Sequence, residues 1–202
     1  NMQLIIISGP SGSGKTTLSK IILKKLKDKK ILNTDNYYKT GIISQILSKT
    51  IACYFDRKIS FNYNLFKKNL DFILKNRYSN FSYKYNFKKK SIKKKHKTTK
   101  NIRYVIVEGI FGQEILKSFQ SNNCILIKLK INKQSCMKRV IKRDFIERSK
   151  SKSLAKRDFI KAWELFFNYK EKNKSRNNFK KIIFRNKNEI NSLLKKIAKV
   201  IN

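Results

Sequence analysis

Leu4 to Lys20 reads LIIISGPSGSGKTTLSK, and this stretch decides the fold. The chain holds six glycines and one proline in 202 residues, yet Gly9, Pro10, Gly12 and Gly14 all fall here. Gln3 to Ser8 is a run rich in β-branched residues, as expected of a strand buried on both faces of a parallel sheet. Gly9 to Thr16 then fits G-x-x-x-x-G-K-[ST], and Leu18, Ile21, Ile22 and Leu26 give the apolar stripe of a following helix. Glycines let consecutive backbone N–H groups turn inward around phosphate oxygens, and the helix N-terminus adds partial positive charge at the same point. Gly9, Pro10, Ser11, Gly12, Ser13, Gly14, Lys15, Thr16 and Thr17 are therefore the candidate nucleotide-binding residues. Lys15 is expected to reach the β- and γ-phosphates and the Thr16 hydroxyl to ligate Mg²⁺.

A phosphate cradle identifies a nucleotide, not a reaction, and composition narrows the choice only slightly. Fifty Lys and Arg stand against twelve Asp and Glu, a net charge of +38. Such a balance points toward nucleic acid or an anionic surface. Here Lys, Asn, Ile, Phe and Tyr, whose codons are AT-rich, are used throughout, so base-composition drift accounts for much of the charge. Cys53, Cys124 and Cys136 form no C-x-x-C pair, which suggests reduced thiols and a cytoplasmic or organelle-stroma setting. No apolar run approaches the ~20 residues of a membrane helix, and the first strand leads at once into the glycine loop, so a soluble protein without a signal peptide is expected. The length suits one domain, residues 1–202, with no repeat or linker.

Further segments place scarce polar residues where phosphoryl transfer needs them. In ILNTDNYYK, Ile31 to Lys39, a short strand ends at Asp35. Ligand-contacting side chains cluster at the carboxyl ends of strands in open α/β sheets. Asp35 is placed to accept a proton from an attacking hydroxyl or to hold Mg²⁺ through water; the plainer alternative is a helix cap. In RYVIVEGIFG, Arg103 to Gly112, a second buried strand terminates in Glu108, the expected metal-side carboxylate. In CMKRVIKRDFIERSK, Cys136 to Lys150, helical spacing sets Met137, Val140, Ile141 and Phe145 on one face and Arg139, Arg143 and Glu147 on another. Arg143 and Arg148 are candidates to close over the transferring phosphate. A solvated helix with Arg143–Glu147 and Asp144–Arg148 pairs is the plainer alternative.

Taken in order, GPSGSGKTT, TDNYYK, IVEGIF and RVIKRDFIERSK resemble the uridine–cytidine kinase branch of the uridine kinase and phosphoribulokinase family, over roughly residues 2 to 186. The resemblance implies a P-loop kinase core with a five-stranded parallel sheet flanked by helices, a β-hairpin over the nucleoside within an acceptor insert at about 54–100, and a helical lid at about 139–156. It also implies ATP or GTP as donor, Mg²⁺, and a homo-oligomer. Asp35 becomes the catalytic base for a nucleoside 5′-hydroxyl, served by Lys15, Arg143 and Arg148, while Thr16 and Glu108 support the metal. Tyr38 joins the substrate residues, and YFDRKISFNYNLF offers Asp56 for the ribose hydroxyls.

The departures from that pattern concern the base. The family's Y-D-F-x-x-H hairpin corresponds to YNFKKK, Tyr85 to Lys90, with Asn86 for the aspartate and Lys90 for the histidine. Tyr85 and Phe87 still offer stacking surfaces, but an ammonium cannot accept a hydrogen bond as a neutral imidazole does. His96 reads as a solvated loop residue. Arg148, Ser149 and Lys150 replace the usual R-G-R of the lid, and Lys150 lacks the bidentate fork. The remaining elements are a helix over Phe61 to Lys75, a basic hairpin or loop over Lys88 to Lys100, a strand over Ile125 to Ile131, a helix over Asp158 to Tyr169, a strand over Ile182 to Phe184 and a C-terminal helix. Two alternatives stay open: a kinase of another acceptor such as a sugar phosphate or pantothenate, and a nucleic-acid-binding ATPase using the Lys- and Tyr-rich Ser82 to Lys100.

Overall fold

A computed structural model describes residues 2–87, 89–116, 124–171 and 180–201. Its framework is a five-stranded, wholly parallel sheet in the order β2-β5-β1-β6-β7, from β1 (Gln3–Ser8), β2 (Lys29–Asn33), β5 (Tyr104–Glu108), β6 (Cys124–Leu129) and β7 (Lys180–Phe184). Every residue of the central β1 is buried, as a strand covered on both faces requires. Its side chains alternate between two cores. Leu4 and Ile6 pack with Leu32, Phe66, Leu70, Ile73, Val105 and Val107, whereas Ile5 and Ile7 pack with Leu18, Ile22, Ile125, Ile127, Leu193 and Ile197.

The second core is closed by α1 (Lys15–Lys25) and α7 (Ile190–Ile201). The first is closed by α3 (Tyr63–Asn76), whose Asn62 cap accepts from Leu65 N at 3.1 Å and whose Phe66, Leu70 and Ile73 face inward. Between β2 and α3 come a one-turn 3₁₀ helix at Thr34–Asn36 and α2 (Ile42–Thr50). A separate antiparallel hairpin, β3 (Ser79–Asn86) and β4 (Ser91–Thr99), precedes β5. Lys88, in the expected basic segment, lies outside the described residues; His96 sits in β4 opposite Phe81, exposed as expected but in a strand. The short α4 (Gly112–Ile115) follows β5, and α5 (Lys133–Arg148) packs against α6 (Lys152–Glu171) through Cys136, Val140 and Phe159.

One face differs from its expected composition. Met137 and Ile141 are only partly covered and Phe145 is 54% exposed, while α5 buries Cys136, Val140 and Asp144. The buried ridge includes a carboxylate because three cations converge on it, as described below. Among the described residues no helix is long and apolar enough to cross a membrane, and the three cysteines are free.

Candidate active site

At the end of β1 the chain turns through Gly9–Gly14 into α1. Gly12 and Gly14 have φ of +76° and +90°, and a Cβ on Gly12 would lie 2.5 Å from the Cys136 carbonyl, so α5 packs directly on the loop backbone. Arg139 of α5 donates from Nη1 to the Gly12 carbonyl at 3.1 Å. No side chain caps the start of α1, which leaves its first N–H groups free to face an anion. Ser13 Oγ, in the same loop, is buried without a hydrogen-bond partner among the described residues. Lys15 folds back so that Nζ donates to the Gly9 and Pro10 carbonyls, both at 2.9 Å. Enclosure of the ammonium lowers its pKa, against the pull of the Asp35 and Glu108 carboxylates. A cavity of about 560 Å³ opens beside the loop, lined by Gly14, Thr17, Ile21, Ile131, Arg139 and Phe184 among others.

Glu108 ends β5, in register with Ile7 of β1 and Asn33 of β2. It is 2% exposed and accepts from Thr16 Oγ1 at 3.3 Å, Ser19 Oγ at 3.4 Å and Asn33 Nδ2 at 2.8 Å. Burial raises its pKa, while the Thr16 hydroxyl and Lys15 oppose the rise. A hydroxyl and a carboxylate oxygen beside a phosphate-sized loop are the hard donors that Mg²⁺ takes, in a site where phosphate and water supply the rest. The residues therefore fit that ion. Next to Glu108, Gly109 has φ of +137°, and any Cβ there would lie 1.7 Å from Thr34 Oγ1. The close approach brings the turn bearing Asp35 against the end of β5.

Asp35 lies in the 3₁₀ turn, two residues beyond the end of β2, because the Asn33 side chain accepts from Asp35 N at 2.7 Å and closes an Asx turn. Tyr38 OH donates to Asp35 Oδ1 at 3.4 Å. Asn36 Oδ1 accepts from Tyr85 N at 3.2 Å and ties this turn to the hairpin. Tyr38, Phe55, Tyr85 and Phe87 form a mutual edge-to-face cluster with ring centroids 5.0–6.0 Å apart. Tyr85 is 5% exposed and its hydroxyl has no hydrogen-bond partner among the described residues, whereas Phe87 is 42% exposed. Asp56 adjoins the cluster, its carboxyl pushed up to about 6 by burial and by Asp35, against Arg148, Lys150 and Arg143. Asn86 Oδ1 accepts from Lys89 N at 3.0 Å within the hairpin turn, and Lys90 Nζ reaches out of the hairpin to the Gln45 carbonyl of α2 at 3.5 Å.

From α5, Arg143 pairs with its neighbour Asp144 at 2.7 Å; Glu147's side chain lies outside the described residues. Arg148 approaches Asp144 at 3.6 Å and stands over the Phe87 ring, 5.6 Å from its centroid. Lys150 bridges Asp158 at 2.7 Å and Asp144 at 3.9 Å.

The sequence pattern of the phosphoribulokinase/uridine kinase family matches residues 4–180. The chain belongs to that family. No curated protein matches it. Among solved structures it is similar to a candidate fructose transport system kinase from Silicibacter sp. TM1040 (16% identity, TM-score 0.62, 89% of each chain). It is also similar to YFH7 of Saccharomyces cerevisiae, described as a candidate P-loop kinase with a circular permutation (13% identity, TM-score 0.66, 91% of this chain and 93% of that one). A third is D-glycerate 3-kinase from Cryptococcus neoformans (12% identity, TM-score 0.61, 91% and 86%). At these identities the likeness is one of fold, an α/β P-loop kinase core with a five-stranded parallel sheet.

For this family member the residues expected from sequence fall into three linked groups. Lys15, Thr16, Glu108 and Asp35 adjoin one another; Tyr38, Tyr85 and Phe87 share the aromatic cluster beside Asp56; Arg143 and Arg148 share Asp144. Sequence reasoning assigned no part to Arg139, Asn33, Asn36 or Ser19. Arg139 carried a signal, its four-residue offset from Arg143 on the helix (i, i+4). The other three act through partners far away in sequence.

Proposed function

We propose that the chain transfers the terminal phosphoryl group of ATP or GTP to the 5′-hydroxyl of a pyrimidine nucleoside, as in the uridine–cytidine kinase branch. The observation that carries the reading is the aromatic cluster Tyr38–Phe55–Tyr85–Phe87 set beside two carboxylates, Asp35 and Asp56. Flat aromatic walls suit a planar base, and a pair of carboxylates suits the hydroxyls of a neutral sugar. A sugar phosphate would bring negative charge toward Asp35 and Asp56.

In this reading the loop N–H groups and the start of α1 hold the donor phosphates, and the 560 Å³ cavity takes the donor base. Lys15 swings from the Gly9 and Pro10 carbonyls to the β- and γ-phosphates. Thr16 and Glu108 would hold Mg²⁺, which screens phosphate charge when bound. Asp35 takes the proton from the acceptor hydroxyl, whose oxygen bonds the γ-phosphorus as the bridge to the β-phosphate breaks and the nucleoside diphosphate leaves. Arg143 and Arg148, carried by a lid of α5 and α6, approach the transferring group and offset its charge. Asp56 holds the ribose hydroxyls.

The polynucleotide-binding alternative keeps little stacking surface, since Tyr83 packs edge-on to Tyr37 and Tyr85 is buried in the cluster, which leaves Phe87 as the exposed ring. The test is nucleotide-diphosphate release with Mg²⁺ and ATP against uridine, cytidine, ribulose 5-phosphate and pantothenate, beside Asp35→Asn. Turnover with the nucleosides, reduced about 100-fold or more in the variant, is expected. Turnover only with another acceptor discards the pyrimidine assignment.

A further inference from the structure

The outer edge of the sheet at β2 and the β3–β4 hairpin enclose a groove of about 460 Å³ that shares no lining residue with the cavity beside the loop. That volume lies within the roughly 300–1,000 Å³ of small-molecule sites. Lys29, Lys30, Lys84, Lys95 and Lys97 line it, and no acidic residue does. Two of these lysines are already engaged. Lys29 Nζ donates to the Leu26 carbonyl at 2.7 Å, and Lys30, 5% exposed, donates to the Phe81 carbonyl at 2.9 Å. Lys84, Lys95 and Lys97 pair with no carboxylate among the described residues.

The hairpin register concentrates this charge. Lys84 stands directly opposite Lys93, and Ser82 opposite Lys95, on the same face. Like charges in such cross-strand pairs oppose strand pairing unless something neutralises them. Burial, and then Lys97, lower the pKa of the Lys30 ammonium at the floor of the groove. Ser82 and Asn36 add neutral polar groups to the lining, while the amide of Asn33, also in the lining, is engaged by Glu108 and Asp35 N.

We propose that this groove is a second anion site, which takes a small phosphorylated molecule bearing two or more negative charges between β2 and the hairpin. Lysines are compact point charges on flexible stems and gather phosphate oxygens from several directions. A polynucleotide is disfavoured because Tyr85 is buried in the aromatic cluster, and Tyr83, which lines the groove, is half-buried with its ring packed edge-on against Tyr37.

The experiment is calorimetric titration of the full chain with inorganic tripolyphosphate in a Lys15→Ala background, which weakens the loop site. Binding is expected to persist there, to fall about tenfold or more in Lys95→Gln/Lys97→Gln, and to be unchanged in Lys195→Gln/Lys196→Gln on the exposed face of α7. Loss of all binding with Lys15→Ala, or equal weakening by the two glutamine pairs, overturns the proposal. So does a groove that ignores tripolyphosphate but takes a single-stranded oligonucleotide through the same lysines. None of these readouts is turnover, so the outcome stands apart from the phosphoryl-transfer reading.

Discussion

Arg143 donates through both Nε and Nη2 to a single oxygen, Oδ1 of its chain neighbour Asp144, at 2.9 and 2.7 Å. Asp144 is 3% exposed, and the same carboxylate draws Arg148 from the next turn and Lys150 from beyond the helix. One buried acid thus sets the direction of three cations that face the aromatic cluster and Asp56. The Asp144–Arg148 pair expected of a solvated helix does form, but with its acid buried. Asp144→Asn keeps the size and removes the charge that gathers them. We expect kcat to fall about 10- to 100-fold with the KM for ATP nearly unchanged, and stability to drop by about 1–3 kcal/mol. Steady-state kinetics and chemical denaturation measure the two; a stability loss with full kcat would make Asp144 purely structural.

Asp56 yields a pH prediction with opposite signs in binding and stability. Its carboxyl, ordinarily near 3.8, is raised to about 6 by burial and then by Asp35. As pH falls through 6 the folded protein takes up a proton that the unfolded chain does not yet bind. The Asp56 contribution therefore favours the fold increasingly between pH 6 and 3.8, and is lost as pH rises through 6. Acceptor binding runs the other way, because a protonated carboxyl is a poorer acceptor for ribose hydroxyls. The nucleoside KM should rise below pH 6, and Asp56→Asn should abolish that inflection while raising KM at pH 7. A wild-type inflection that survives in the variant assigns it to another group.

How far sequence reasoning reached depends on the range of the forces involved. The strand, glycine loop and α1 are local, so G-x-x-x-x-G-K-[ST] after an apolar run located Lys15 and Thr16 without ambiguity. Asp35 was legible as a residue, but its seat was not: the Asn33 side chain ends β2 early and carries Asp35 into a 3₁₀ turn. On α5 the apolar spacing pointed to Met137, Val140, Ile141 and Phe145; Val140 is buried as expected, but the buried ridge continues through Cys136 and Asp144 and not through the other three. Gly12 admits Cys136 there, and the cations around Asp144 draw it inward, effects that periodicity does not register. The bonds of Asn33 to Glu108 and of Asn36 to Tyr85 span elements that only the folded chain brings together.

Glu108 separates metal support from folding. It is buried with three donors around it, and burial raises its pKa, so its charge is costly to the fold. In Glu108→Gln the Oε1 atom still accepts from Asn33 and Thr16, and the new amide in the place of Oε2 donates to the rotatable hydroxyl of Ser19. Thermal stability should hold within about 1 kcal/mol or improve. The Mg²⁺ concentration for half-maximal rate should rise about tenfold or more, since a hard cation loses its anionic oxygen. Unchanged Mg²⁺ dependence would place the ion elsewhere.

The hairpin predicts weak discrimination between pyrimidines. Asn86 and Lys90 stand where the resemblance to uridine–cytidine kinases implies aspartate and histidine, and both are spent, on the turn and on the Gln45 carbonyl. The partnerless Tyr85 hydroxyl is the polar atom left inside the aromatic cluster, and a hydroxyl both donates and accepts. It can therefore satisfy O4 of uracil as a donor or the exocyclic amine of cytosine as an acceptor, so uridine and cytidine should differ by less than about tenfold in kcat/KM. Phe87→Ala removes a stacking wall and the surface under Arg148, and should raise the KM of both nucleosides about tenfold, leaving that of ATP unchanged. Tyr85→Phe keeps the stacking and removes the hydrogen bond, so it should weaken both nucleosides together. A large preference for one nucleoside that Tyr85→Phe leaves intact would show that another polar group reads the base.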